Sequence, residues 1–338
     1  MGEPIKQMKN PKYFYELTIS SSPHAHSPVT TQTIMRDVLI ALLPALIGSV
    51  YFFGFRALMV TLVSAAASVF FEWGYRKMMK LDDTTWDLSA VVTGVLLAFV
   101  CPVTIPYWTI ILGDLFAIVL VKQLFGGIGK NFVNPALAGR AFMFSWPVMM
   151  STWVKVGYHN AAGILSTADI VTEATPLAAM HQGVLSDVSN MDLFLGNVGG
   201  CLGETSALLL LIGFVYLLLR KVITARIPLT YIATVAVLSF LFPMGNDPVA
   251  WMAAQVFGGG LMLGAIFMAT DYVTSPVTKL GQIIFGIGCG VLTIAIRYFG
   301  GYSEGVSYAI LIMNLCVVLL DKVGRPVKFG APKKEAAK

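Results

Sequence analysis

The chain has 338 residues, 57% of them hydrophobic and 12% charged, with a mean hydropathy of +0.76 and a net charge of +5. Soluble domains carry about 25% charged residues, so this composition excludes an ordinary soluble protein and describes a surface that faces lipid. The small positive charge is scattered among loops rather than gathered on one face, which excludes a nucleic-acid partner.

Residues 1–37 form a polar segment with Lys6, Lys9 and Lys12 and no apolar core, unlike a cleavable export signal. Apolar runs then follow at 38–55, 57–73, 88–100, 107–122 and 132–150. The run 88–100 makes about 20 Å of helix, too short for a straight span. It ends in Cys101-Pro102-Val103-Thr104-Ile105-Pro106, so it reads as a broken helix that stops inside the protein. The segment 151–203 is a long loop with Lys155 and the acids Asp169, Glu173, Asp187 and Asp192; a loop of this size in a compact protein is usually functional. A second set of runs occupies 204–219, 228–242, 250–270, 281–299 and 307–320, and 321–338 is a basic tail.

Ten such runs predict an all-α polytopic membrane protein of about ten transmembrane helices, with a first five-helix repeat over 38–150 and a second over 204–320. With the N-terminus inside, Arg56, Lys155 and Arg297 fall outside, Arg140 lies within a span, and the remaining Lys and Arg fall inside. The positive-inside rule therefore predicts an inner-membrane protein with both termini cytoplasmic and the 151–203 loop outside. Pro102-Val103-Thr104 recurs as Pro276-Val277-Thr278 and Phe125-Gly126-Gly127 as Phe299-Gly300-Gly301, both displaced by 174 residues. Five helices per half would invert each pair, the pattern of a five-plus-five inverted repeat with its binding sites between the repeats. Convergent Gly and Pro punctuation of loops is the plainer alternative.

Cys101, Cys201, Cys289 and Cys316 show no C-x-x-C spacing, so no metal or iron–sulfur site is expected from this chain alone. His24, His26, His159 and His181 fall in loops and read as surface residues. Trp86, Trp108, Trp146, Trp153 and Trp251 fall near span ends, as an interfacial aromatic belt would. Among intramembrane charges, Asp114 and Arg140 stand out. They could pair with each other, or Asp114 could lie on an ion pathway, because an unpaired charge in the bilayer is costly.

Two stretches carry candidate chemistry. In Asp169-Ile170-Val171-Thr172-Glu173-Ala174-Thr175-Pro176, Thr175 precedes a proline and is biased to the extended region, Ala174 leaves space beside it, and Thr172 and Asp169 can bind backbone or a metal–phosphate group. A turn in a surface loop is the alternative. In Phe125-Gly126-Gly127-Ile128-Gly129-Lys130-Asn131-Phe132-Val133-Asn134-Pro135, Gly126 and Gly127 permit close backbone approach. Asn131 and Asn134 lie one turn apart, with amides that suit the edge of a ring ligand, or Asn131 caps the following helix.

The first stretch resembles the flavin-transferase acceptor pattern D-x-x-[S/T]-G-A-T, with Glu173 where the pattern carries Gly. Together with Gly126-Gly127-x-Gly129-x-Asn131-x-x-Asn134-Pro135-Ala136-Leu137-x-Gly139-Arg140-Ala141-Phe142, the chain resembles over nearly its whole length the RnfD family and, more distantly, NqrB. The resemblance implies an electron-carrying membrane component of an ion-translocating ferredoxin:NAD+ oxidoreductase (Rnf) complex, with FMN joined to Thr175 by a phosphoester. It implies a second, non-covalent flavin such as riboflavin, a urea-transporter-like fold, partner subunits that carry flavin and iron–sulfur centres, and a flavin transferase for maturation. Glu173 in place of the pattern's Gly would slow the modification or repel the FMN phosphate. No G-x-G-x-x-G follows a strand, so NAD is expected on a partner and no catalytic residue on this chain. A solute channel on the same fold and a cofactor-free scaffold are the rivals.

Overall fold

This computed structural model describes residues 29–154, 175–184, 188–301 and 303–323. Among them there are helices and no strands. Helix α1 (Thr31–Phe53) starts where the Thr30 hydroxyl accepts from the Thr33 amide at 3.2 Å, and α2 (Phe55–Met78) follows after Gly54. Both are amphipathic in the sense a lipid-facing helix requires. Ile47, Tyr51, Leu62 and Phe70 point outward, while α1 buries Asp37, Ala41, Ala45, Gly48 and Ser49, and α2 buries Arg56, Ser64, Ser68 and Glu72. Small and polar residues pack against neighbours because lipid already solvates the large apolar side chains.

The short run expected to break inside the protein does so. Helix α3 (Ser89–Phe99) has almost every side chain buried, and the Cys101 and Phe99 carbonyls at its end accept from Leu202 N (3.0 Å) and Gly203 N (2.9 Å). Irregular backbone at depth must find such partners within the protein. Helix α4 (Tyr107–Leu115) runs on into a π-helical segment, Phe116–Gln123. The run 132–150 is not one helix: α5 (Pro135–Met143) and α6 (Pro147–Met150) divide it, because Pro147 removes a backbone donor and forces a new start.

Past the long loop come α7 (Pro176–His181), α8 (Asn190–Leu195), α9 (Ala207–Leu219) and α10 (Arg226–Leu241). The run 250–270 also breaks, into α11 (Pro248–Phe257) and α12 (Leu261–Leu263) with its π-helical continuation Gly264–Met268. The two parts meet at 59° across Gly258-Gly259-Gly260. Helices α13 (Lys279–Phe299) and α14 (Val306–Leu320) complete the described chain. Three helices, α1, α2 and α13, are long and apolar enough to cross a membrane, and the bent α11–α12 pair makes a fourth.

The core is formed by α3, α5 and α12 at the centre, with Leu97, Phe99, Leu137, Leu261, Leu263 and Ile266 fully buried. Trp251 is buried in a second, smaller cluster with Leu177, Met180, Leu193 and Ala254 rather than in an aromatic belt, and its indole N–H donates to the Tyr298 hydroxyl at 2.7 Å. Trp86 and Trp108 are exposed as a belt would have them.

Helices α1 and α9 approach so closely that a Cβ on Gly213 would lie 2.2 Å from the Ala41 carbonyl oxygen and 3.0 Å from the Phe267 ring. Gly213→Ala should therefore lower the thermal unfolding midpoint of the purified protein, by about 1–3 kcal/mol of overpacking. Gly74→Ala, where a Cβ meets nothing within 4 Å, should leave it unchanged or slightly raised. Equal effects of the two substitutions would contradict this packing.

Candidate functional site

Thr175 sits at the start of α7, extended (φ −68°, ψ 149°) as its place before Pro176 predicts, with its side chain accepting from Ala178 N at 3.3 Å. Helix α7 is docked rather than loose. Leu177 and Met180 pack on Leu193, Trp251 and Ala254. The His181 Nδ1–H donates to the Arg297 carbonyl at 2.7 Å, so this histidine is an anchor and not the surface residue its loop position suggested. Thr175 lines a cleft of about 50 Å³ together with Cys201, Glu204, Gly258, Gly259 and Glu304. Asp169, Thr172, Glu173 and Ala174 lie outside the described residues.

The floor of the cleft is an ion cluster. The Arg140 guanidinium on α5 donates to Glu204 (3.3 Å), to Glu304, and to the Ser307 hydroxyl (2.9 Å), with the Cys201 sulfur 3.8 Å away. Sulfur and carboxylate oxygens of Cys201, Glu204 and Glu304 all lie within 4.8 Å of one another. That donor set could hold a metal, but the guanidinium already supplies the positive charge. Burial alone would push the Glu304 carboxyl up; the adjoining Arg140, and Arg297 beyond it, outweigh burial and hold it below the usual carboxylate range. Arg297, on α13, donates to the Gln255 carbonyl (2.5 Å) and side chain (3.0 Å) and to the Gly258 carbonyl (3.2 Å), which fixes the glycine bend that forms the cleft wall.

A larger cavity of about 270 Å³ opens beyond the other end of α5. Its walls are mainly apolar, from Ile34, Val38, Val92, Leu96 and Phe267, with Lys122, Asn131, Asn134 and Asp271 as polar points. Asn134 caps α5, accepting from Ala136 N (3.0 Å) and Leu137 N (3.3 Å), and donates to the Met268 carbonyl (3.2 Å). Asn131 donates to the Val133 carbonyl at 3.1 Å and does not cap. Thus the two asparagines meet at one cavity, whereas Gly126 and Gly127 do not line it: a Cβ on Gly126 would meet the Lys130 side chain and one on Gly127 the Arg76 guanidinium.

Asp114 and Arg140 do not pair. Asp114 Oδ1 instead accepts from the hydroxyls of Ser64 (2.9 Å) and Ser68 (2.8 Å) on α2. Nor did the sequence mark Lys122, at the end of its π-helical segment, which pairs in the interior with Glu72 at 2.7 Å and donates to Ser89 at 2.6 Å. The partners of Arg140 and Lys122 come from distant segments, so no local spacing signals them.

Residues 18–330 match the model of the NQR2, RnfD, RnfE family. Among named relatives, the chain is similar to the D subunit of the Na(+)-translocating ferredoxin:NAD(+) oxidoreductase complex of Acetobacterium woodii, at 47% identity over 94% of this chain and 96% of the relative. It is similar to the D subunit of the proton-translocating ferredoxin:NAD(+) oxidoreductase complex of Clostridium ljungdahlii, at 42% identity over 93% and 96%. The D subunit of the ion-translocating oxidoreductase complex of Stutzerimonas stutzeri is 37% identical over 88% and 91%.

Removing one member of a buried charge pair leaves the others uncompensated. Arg140→Met should destabilise the protein on the order of 3–5 kcal/mol, read as a lowered unfolding midpoint in detergent. Adding Glu304→Gln should recover part of the loss. A midpoint unchanged by Arg140→Met would disprove this account of the cluster.

Proposed function

The chain belongs to the NQR2, RnfD, RnfE family, and from that premise we propose that it is the membrane-embedded, electron-carrying RnfD component of an ion-translocating ferredoxin:NAD+ oxidoreductase complex, with FMN joined to Thr175 through a phosphoester. The observation that carries this reading is the presentation of Thr175: a half-buried hydroxyl on an extended residue, on a docked helix, at the rim of a cleft walled by Gly199, Gly200, Gly258 and Gly259. Glycine walls let a planar group approach backbone closely. At about 50 Å³ the cleft is far smaller than an ordinary ligand pocket, so its glycine walls would hold a flavin ring at the opening rather than enclose it. Once attached, the flavin supplies the electron chemistry. The chain holds it: α7 is fixed by His181 and its apolar contacts, and the cluster beneath balances the Arg140 and Arg297 charges against Glu204 and Glu304.

In this reading the protein lies in the bacterial inner membrane with about ten spans, a five-plus-five inverted repeat, cytoplasmic termini and the Thr175 loop outside. Supporting it, each half carries a short buried helical segment, α3 or α12, then a Pro-Val-Thr, then a further helix, α4 with its π-helical continuation or α13. Its partners are the flavin- and iron–sulfur-carrying subunits of the complex, a flavin transferase that loads Thr175, and lipid. A second, non-covalent flavin such as riboflavin occupies the 270 Å³ cavity, which is near the lower size of ligand pockets and has the apolar walls and few polar points they have.

Thr175→Ala should abolish covalent flavin fluorescence of the denatured polypeptide while Thr175→Ser, which keeps the hydroxyl, retains it. Covalent flavin on the alanine variant would sink the assignment. For the cavity, Val92→Phe should reduce acid-extractable flavin in the purified complex by tenfold or more, roughly 1.4 kcal/mol of lost affinity, without changing the covalent flavin. A parent complex that releases no free flavin would refute the second site.

A further inference from the structure

Helix α2 carries a polar stripe along its buried face. Arg56, Ser64, Ser68 and Glu72 are all buried, and Ser64, Ser68 and Glu72 follow at four-residue steps, so each shares a side with the next. From Arg56 to Glu72 the stripe covers about 24 Å of helix rise, against about 30 Å of hydrocarbon in a bilayer. Each end of it is satisfied. Arg56 donates to the Val103 (2.8 Å) and Ile105 (3.2 Å) carbonyls, and Glu72 is held by Lys122 and accepts from the Thr84 hydroxyl (2.9 Å).

The middle is not. Asp114, fully buried on α4, takes both serine hydroxyls on Oδ1, while Oδ2 is buried with no hydrogen-bond partner. The Ser64 hydroxyl also lies 2.8 Å from the Gly94 carbonyl of α3. That carbonyl reaches in because residue 94 is glycine: a Cβ there would stand 2.7 Å from the Ser64 carbonyl oxygen and 2.8 Å from the Ser68 hydroxyl. No Lys or Arg among the described residues pairs with Asp114. The ionised form leaves this arrangement incomplete, because the carboxylate has no counter-charge. A proton on Oδ1 can be donated to the Ser64 hydroxyl, whose own hydrogen then goes to the Gly94 carbonyl, and a metal ion bound among the same oxygens would supply the same charge. The π-helical segment begins two residues later, at Phe116, a local widening that often accompanies functional sites.

We propose that Asp114, Ser64, Ser68 and the Gly94 carbonyl form a binding site for a small monovalent cation, Na+ or a proton, in the middle of the α2–α3–α4 bundle. The donor set is all oxygen, as a hard cation requires, and its one carboxylate balances a single positive charge. The site deepens the proposed function, resting on it for the view that the bound ion is one that crosses the membrane. Other titratable groups on the packed elements are engaged elsewhere: Glu72 with Lys122, and Arg140 with Glu204 and Glu304. The Cys101 thiol faces the Leu97 carbonyl at 3.1 Å, and α3 carries no charged residue.

The test is carbodiimide modification of the purified complex. Dicyclohexylcarbodiimide, which is apolar, adds to a protonated buried carboxyl to leave a stable acylurea that peptide mass spectrometry locates at Asp114. Labelling that falls in sodium chloride but not in choline chloride of equal ionic strength supports a Na+ site. Labelling insensitive to Na+ that falls as pH rises supports a proton site. In the first case Ser68→Ala, which keeps the carboxylate and removes one ligand, should demand about tenfold more Na+ for the same protection. In the second it should change the pH at which labelling falls, while Ser68→Thr, which keeps the hydroxyl, should not. No labelling of Asp114 under any condition, or labelling indifferent to both Na+ and pH, overturns the proposal. Covalent flavin fluorescence read on the same samples keeps the outcomes separate: its absence bears on Thr175, not on Asp114.

Discussion

A guanidinium buried in an apolar bundle must find its counter-charges inside the protein, and Arg140 finds them far along the chain. Its partners Glu204, Glu304 and Ser307 lie 64, 164 and 167 residues away. Meeting this one demand fixes α5 against the segments that lead into α9 and α14. At its other end α5 is tied by Asn134, whose amide donates to the Met268 carbonyl. A nine-residue helix, about 13 Å long and too short to cross a membrane, is thereby pinned at both ends to the second half of the chain. The Thr175 cleft opens beside the Arg140 end and the larger cavity beside the Asn134 end. The spacing of the two candidate sites is thus set by the length of one short helix.

The same constraint explains why the outer helices turn small and polar residues inward and large apolar ones outward. In water, burial of apolar area drives packing; in lipid, close fit and satisfied polar groups do. Helix α2 therefore turns Ser64, Ser68 and Glu72 inward and Leu62 and Phe70 outward. Central helices α3 and α12 can be short because they never meet lipid: their broken ends are taken up by Leu202, Gly203 and Gly260 backbone groups and by Glu304.

Much of this was legible in the sequence, for a physical reason. Apolar runs report where a helix can lie, and most of the ten runs begin or end within a few residues of a helix terminus; α3, from 89 to 99 against an expected 88 to 100, is typical. Pro147 and the Gly258–Gly260 triplet broke two runs that hydrophobicity alone joined. The extended Thr175 followed from Pro176. Partnership was what sequence did not carry. Asp114 and Arg140 were the two conspicuous intramembrane charges and the natural pair, but each turns to a different neighbour because α2 supplies serines on one side of the bundle and the loops before α9 and α14 supply carboxylates on the other. Likewise Gly126 and Gly127 share a motif with Asn131 and Asn134 but not a cavity, since the turn at 124–130 carries them away from it.

How the charges are distributed also bears on the choice between an electron carrier and a solute channel on a similar fold. A channel for small polar solutes needs a water-lined path between the two halves. Here the region between cleft and cavity is filled by Leu97, Phe99, Leu137, Leu261 and Ile266, all fully buried, and the Arg140 cluster closes the cleft side. Opening a path would require repacking those side chains and exposing charges that now neutralise one another. An electron needs no such opening, because it moves between bound carriers through packed protein, and a sealed core keeps water and ions from following it. The Asp114 group lines neither the cleft nor the cavity, but the α2 stripe reaches the cavity through Lys122, which pairs with Glu72 and lines the cavity wall. One shared ion pair suits a protein in which redox change and ion movement must influence each other without sharing a route.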